Sequence, residues 1–183
     1  MMIDNQKLIE EYFDYLWPLN RSLTGDGVRE THKILSELIP LKTFEIQSGT
    51  QVNDWVIPQE WYVNEAYIET PNGKKICQFS ENNLNLVGYS TAFEGELTKK
   101  ELDEHLHYLP NNPNAIPYVT SYYKSRWGFC ISYNEYKKLK EGNYKVVVDT
   151  KHFKGSMTIS DCLIKGKSDK EILFTSYTCH PSM

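Results

Sequence analysis

His180 is the side chain best placed for chemistry in this sequence. It stands just beyond Glu171-Ile172-Leu173-Phe174-Thr175-Ser176, an apolar run that reads as a buried strand. In open α/β sheets, ligands bind beyond the carboxyl ends of the strands, where diverging loops leave a crevice. An imidazole placed there can bind a transition metal through one nitrogen, and Pro181 would set the chain direction after it. One histidine makes no metal site by spacing alone, and a strand-end hydrogen bond is its plainer use. Cys179 precedes it, but neighbours on a strand point to opposite faces, so adjacency does not make a thiol–imidazole pair. Thr98 and Glu101 form a capping box that opens a short helix, on which His105 and His107 would not share a face or a metal. His32 and His152 read as surface residues. There is no G-x-S-x-G elbow for a serine nucleophile. A second group is the aromatic run Tyr118, Tyr122, Tyr123, Trp127 and Phe129, with Lys124 and Arg126 inside it. It is either a sheet core whose tyrosine hydroxyls reach the rim, or part of a substrate wall. In the second case Tyr123, Arg126 and Trp127 would line the wall and Arg126 would hold a carboxylate.

The elements that must carry these groups follow from periodicity. Leu8, Ile9, Tyr12, Phe13 and Leu16 fall on one helical stripe, capped by Asp4 or Asn5 and ended at Pro18. The loop Asn20–Gly27 has two glycines but no Lys-Ser or Lys-Thr and no preceding strand, so it reads as an interhelical turn. A second helix is expected from about Asp26 to Ile39, with Val28, Thr31, Leu35, Leu38 and Ile39 inward. Strand patterns then take over. Pro71-Asn72-Gly73 between two strand-like runs is a strong hairpin signal, because Asn and Gly tolerate positive φ. Leu84–Tyr89 reads as another strand, and Ser132 with Glu135 as a second capping box. The stretch 60–116 has the texture of a compact β-rich insertion.

Composition excludes several classes. The chain has 183 residues, 40% hydrophobic and 24% charged, an ordinary globular mixture long enough for its own core. A net charge of −4 argues against a nucleic-acid backbone as partner. No apolar run approaches the roughly 20 residues that span a bilayer. The acidic start lacks the basic and then apolar pattern of a signal peptide, so a cytoplasmic location is expected, with no membrane partner. Four widely spaced cysteines without C-x-x-C spacing read as buried thiols.

Four segments together, PLNRSLTGDGVRET, SGTQVNDWVIPQEW, AIPYVTSYYKSRWGFCIS and ILFTSYTCHPSM, resemble a bacterial family of aminopeptidase-like proteins. That family is related to the zinc-dependent aminopeptidases of the phosphorylase/hydrolase-like fold and is often linked to surface-polysaccharide gene clusters. The resemblance spans essentially the whole chain. It implies an α/β/α sandwich with a mixed sheet. It assigns 1–59 and 117–183 to a partial peptidase-like domain and 60–116 to the inserted small β-rich domain. It also implies that His180 is a zinc ligand and that the substrate is peptide or aminoacyl-type.

In the family, an Asn and a metal-ligating Asp follow this point, and then the acidic general base, a further carboxylate and a second histidine. None of these lies before Met183, so the chain is similar to the amino-terminal half of such an enzyme. A catalytic zinc needs about three protein ligands and an open position. No catalytic base is identified here, no peptidase activity is expected of the chain alone, and zinc is expected only in the longer protein. An exposed strand edge would lead the chain to self-associate. The alternative is a non-catalytic binding or assembly module, docking a protein or a surface saccharide through the inserted β domain.

Overall fold

The computed structural model describes residues 5–180; Asp4, expected as a helix cap, and Pro181 lie outside them. The architecture is mixed α/β with several small sheets, divided into two compact units, 5–60 with 154–180 and 61–153.

The first unit begins with two helices, α1 (Asn5–Leu16) and α2 (Asp26–Leu35). The expected stripe of α1 forms, yet it buries no residue: Ile9 is 69% and Phe13 51% exposed. Helix α2 is shorter than expected, and Leu38 and Ile39 lie exposed in the turns after it. It buries Val28, Thr31 and His32, so His32 is a core residue and not a surface one. Its first turn packs directly on the preceding loop: a Cβ on Gly27 would sit 2.0 Å from the Asn20 carbonyl oxygen. Only glycine allows that approach.

Strand β1 (Lys42–Gln47) comes next, followed by a small hairpin of β2 (Gln51–Val52) and β3 (Trp55–Val56). The second unit then intervenes. Within it lie β4 (Glu60–Glu69, whose first residue belongs to the first unit), β5 (Lys75–Ile76), β6 (Phe93–Thr98), α3 (Lys99–Asp103), β7 (Leu106–His107), β8 (Phe129–Cys130), α4 (Tyr133–Tyr136) and β9 (Asn143–Phe153). Strand β10 (Ser156–Asp161) returns to the first unit and pairs antiparallel with β1, from Lys42↔Asp161 to Gln47↔Ser156.

Because side chains alternate along a strand, this two-stranded sheet has two distinct faces. One presents Thr43, Glu45, Ser156, Thr158 and Ser160, of which Glu45, Ser156 and Ser160 meet Arg29 and His32 of α2. The opposite face carries the Phe44↔Ile159 and Ile46↔Met157 pairs, with Phe44 36% and Ile159 43% exposed.

The expected buried strand at 171–176 does not form. Residues 171–179 adopt neither helix nor strand, and Ile172, Leu173 and Phe174 are 81%, 86% and 88% exposed. A strand exists only through a ladder partner, and the described residues supply none there.

The second unit is built on a four-stranded sheet in the order β5-β4-β9-β6, with β6 and β9 antiparallel from Phe93↔Val148 to Thr98↔Asn143. Its core gathers Trp61, Ile68, Val87, Leu102, Phe129, Tyr144, Val146 and Val148. The expected Asn72-Gly73 hairpin joins β4 to β5, with Gly73 at φ 80°. The Thr98/Glu101 capping box is complete, and the Glu135 amide donates to Ser132 Oγ to open α4. Leu84–Tyr89 is not a regular strand: a 3-10 turn at Asn83–Asn85 leads into isolated bridges, although Leu86, Val87 and Tyr89 are buried. This unit extends well past residue 116, because β9 supplies the strand between β4 and β6. No helix among the described residues is long and apolar enough to cross a membrane.

Candidate functional site

The first unit concentrates its polar chemistry on α2 and the facing side of β1/β10. Arg29 is central. Its two terminal nitrogens donate to the two carboxylate oxygens of Glu60, at 2.6 and 2.9 Å. It also donates to Asp26 at 3.0 Å and to Ser156 Oγ at 3.2 Å, and lies 3.6 Å from Glu45. The hydrogen bonds from Arg29 hold the Glu60 carboxyl below its ordinary range, against the opposing effect of burial. For Glu45, burial works against the charge, but hydrogen bonds from Ser156 and Thr158 and the nearby guanidinium outweigh it, so its carboxyl is also lowered. Glu60 is 6% exposed, so its carboxylate is sheltered from water while Arg29 stays partly open to it.

His32 sits one turn further along the same helix. Its Nδ1 lies 2.8 Å from Ser160 Oγ and its Nε2 3.1 Å from Thr178 Oγ1. Burial lowers its pKa, favouring the neutral ring, in which one nitrogen donates and the other accepts. This bridge ties the segment leading to His180 back onto α2.

His180 is half-exposed. Its ring meets Tyr177 at 5.2 Å, and its Nδ1 lies 3.4 Å from Cys179 Sγ. The two neighbours therefore do meet, contrary to the opposite-face argument, because the segment is not a strand. Burial raises the Cys179 thiol, which keeps it protonated and a poor nucleophile. Cys179 and His180 are two potential zinc donors. No group of three His, Cys, Asp or Glu suited to a metal ion occurs among the described residues. The residues in place therefore do not by themselves fit a catalytic zinc centre. The other cysteines are free thiols, and burial pushes Cys77 and Cys130 up to about 12.

The other three expected site residues belong to the second unit. Tyr123 is 81% exposed. Arg126 is exposed and donates to the Thr120 carbonyl at 3.0 Å. Trp127 is stacked between Phe93 at 4.3 Å and His105 at 3.7 Å, so both indole faces are covered. His105 and His107 lie beyond the end of α3, and His107 is in β7, so the helix argument does not apply to them. His105 is committed elsewhere: its Nδ1 lies 3.2 Å from the Trp127 carbonyl oxygen and its ring stacks on the Trp127 indole, while His107 is half-buried.

Sequence reasoning missed Arg29, Glu60 and His32. Arg29 and His32 are three apart and share a helix face, which was the available signal. Glu60 carried none beyond being a charge at the head of an apolar strand.

Comparison with known proteins places this arrangement. Residues 60–151 match the family model described as "Domain of unknown function (DUF2172)". The chain belongs to that family. The match covers nearly the whole second unit and ends two residues before Phe153. The chain is also similar to a Clostridium acetobutylicum protein named "Putative polysaccharide biosynthesis protein with aminopeptidase-like domain", with 45% identity over 176 residues. That alignment covers 96% of this chain and 40% of the relative. A solved structure, "Crystal structure of putative peptidase" from Clostridium acetobutylicum, superposes with a TM-score of 0.93 at 42% identity, over 98% of this chain and 43% of that one. The chain thus spans well under half the length of the relatives it matches.

Proposed function

We propose that this chain is a portion of a peptidase-like hydrolase acting on peptide or aminoacyl-type substrates. The observation that carries the reading is the structural agreement with the protein named a putative peptidase, a TM-score of 0.93 over 98% of the chain. The exposed apolar face of β1/β10 and the uncovered Ile172-Leu173-Phe174 run support it, since both suit the interior of a larger α/β/α sandwich. In this reading His180 contributes one zinc ligand. Polypeptide corresponding to the rest of the relatives' length contributes the others, and the chain alone is inactive.

The test is turnover of aminoacyl-p-nitroanilides with zinc or cobalt. The expected result is no activity from the chain alone and activity when it is joined to the remaining polypeptide of the Clostridium relative, lost again on His180→Ala. Turnover by the chain alone that His180→Ala abolishes would overturn the inactivity. A folded, metal-loaded joined protein without turnover would overturn the peptidase reading.

A second reading is a binding module. It is favoured by the family match lying on the second unit and by the relative's polysaccharide-biosynthesis name. Tyr123 offers an exposed ring for a sugar or protein partner, whereas the covered faces of Trp127 do not. Saccharide binding by the inactive chain, lost on Tyr123→Ala, would establish it.

A further inference from the structure

Arg21 lies in the loop between α1 and α2 and is 4% exposed. Its Nε is buried and finds no hydrogen-bond partner among the described residues. Two other buried charged side chains, one of each sign, are matched: Glu60 has Arg29, and Lys99 has Asp103 at 2.5 Å. Buried guanidinium groups are ordinarily paired, because an arginine does not shed its proton and its desolvation is costly. The backbone also holds Arg21 in place. Gly27 of α2 closes on Asn20 and the Arg21 amide, Ser22 Oγ donates to the Thr24 carbonyl at 2.9 Å, and Ser22 and Thr24 are themselves 3% and 1% exposed.

We propose that Arg21 is a carboxylate-binding site: its buried, unpartnered guanidinium Nε, held by the Asn20–Thr24 loop against α2, receives a planar carboxylate. The guanidinium fork matches a carboxylate in shape and charge better than it matches a spherical anion. The carboxylate comes either from a small peptide-type ligand or from an Asp or Glu of further polypeptide packed on this unit. The inference does not depend on the peptidase reading and can stand if that fails.

The test follows the arginine Nε–H resonances of the purified chain by 15N NMR while acetate or N-acetyl-leucine is added at constant ionic strength. A saturable shift of one Nε–H is expected, absent with N-acetyl-leucinamide or chloride and absent in Arg21→Met. Arg21→Met should fold with a Tm equal to or above that of the parent, since it removes an unpaired buried charge. An equal response to chloride, or no response to any carboxylate, would overturn the proposal. So would a Tm several degrees lower in Arg21→Met, because that would show the guanidinium already paired within the chain. Repeating the titration on the chain joined to the relative's remaining polypeptide separates the two sources. A resonance already shifted and insensitive to acetate assigns the carboxylate to the polypeptide; one still titratable assigns it to a small ligand.

Discussion

Arg29 grips Glu60 with both arms of its guanidinium, 31 positions away in the chain, at 2.6 and 2.9 Å. The pair joins the middle of α2 to the first residue of β4, and the Ser156 amide donates to the same carboxylate at 3.0 Å. One ion pair thereby gathers three separate stretches of the first unit.

Breaking this pair from one side leaves a buried charge without a partner. Arg29→Met should destabilise the first unit by about 3 kcal/mol, since Glu60 stays behind in a site closed to water. Glu60→Gln should cost less, because the exposed part of Arg29 can turn to solvent. The pH dependence has a definite sign. The folded-state pKa of Glu60 is lowered, so its contribution is present above the ordinary glutamate value of about 4.3 and is lost as pH falls through the folded value. Urea denaturation between neutral pH and pH 3 should show a shallower acid loss in Glu60→Gln than in the parent.

His32 gives a second pH response, closer to neutrality. Burial lowers its folded pKa, so the unfolded chain binds the proton first as pH falls below about 6.5. Stability contributed by the neutral ring is therefore lost as pH falls from there toward the folded value. A protonated ring can only donate, so the hydroxyl that had donated to it must turn to accept, and the new charge is held in a buried position. Hydrogen exchange at Tyr177–His180 should accelerate on acidification through this range in the parent. In His32→Gln it should be fast throughout and insensitive to pH over the same interval, once corrected for intrinsic exchange.

The outward face of β1/β10 and the run at 172–174 should make the isolated chain associate. Phe44, Ile159, Ile172, Leu173 and Phe174 are large apolar side chains left exposed, the kind of surface that monomers keep small. Light scattering should show concentration-dependent growth in mass for the parent. Leu173→Lys with Phe174→Glu should reduce it, with the urea midpoint unchanged because neither side chain packs in the first unit. A parent that stays monomeric at every concentration would contradict the expectation.

Local chemistry was legible wherever a signal closes within a few residues. The Asn72-Gly73 turn, the Thr98/Glu101 box and the α1 stripe all form where their patterns lie, since each rests on a neighbour three or four positions away. The run at 171–176 has an equally clear apolar pattern but no ladder partner among the described residues, so pattern alone did not make it a strand. Leu84–Tyr89 shows a milder form of the same limit: its apolar side chains are buried as expected, while its backbone bridges only at single points.

The polar centre needed contacts that no window along the chain contains. That Arg29 faces Glu60, that His32 lies between Ser160 and Thr178, and that the buried Arg21 Nε has no hydrogen-bond partner among the described residues are facts of long-range packing. Residue order sets helical and strand periodicity because those depend on bonds between near neighbours. Which charge meets which, and which apolar face stays open, depends on how distant segments share space, and there the folded arrangement has the last word.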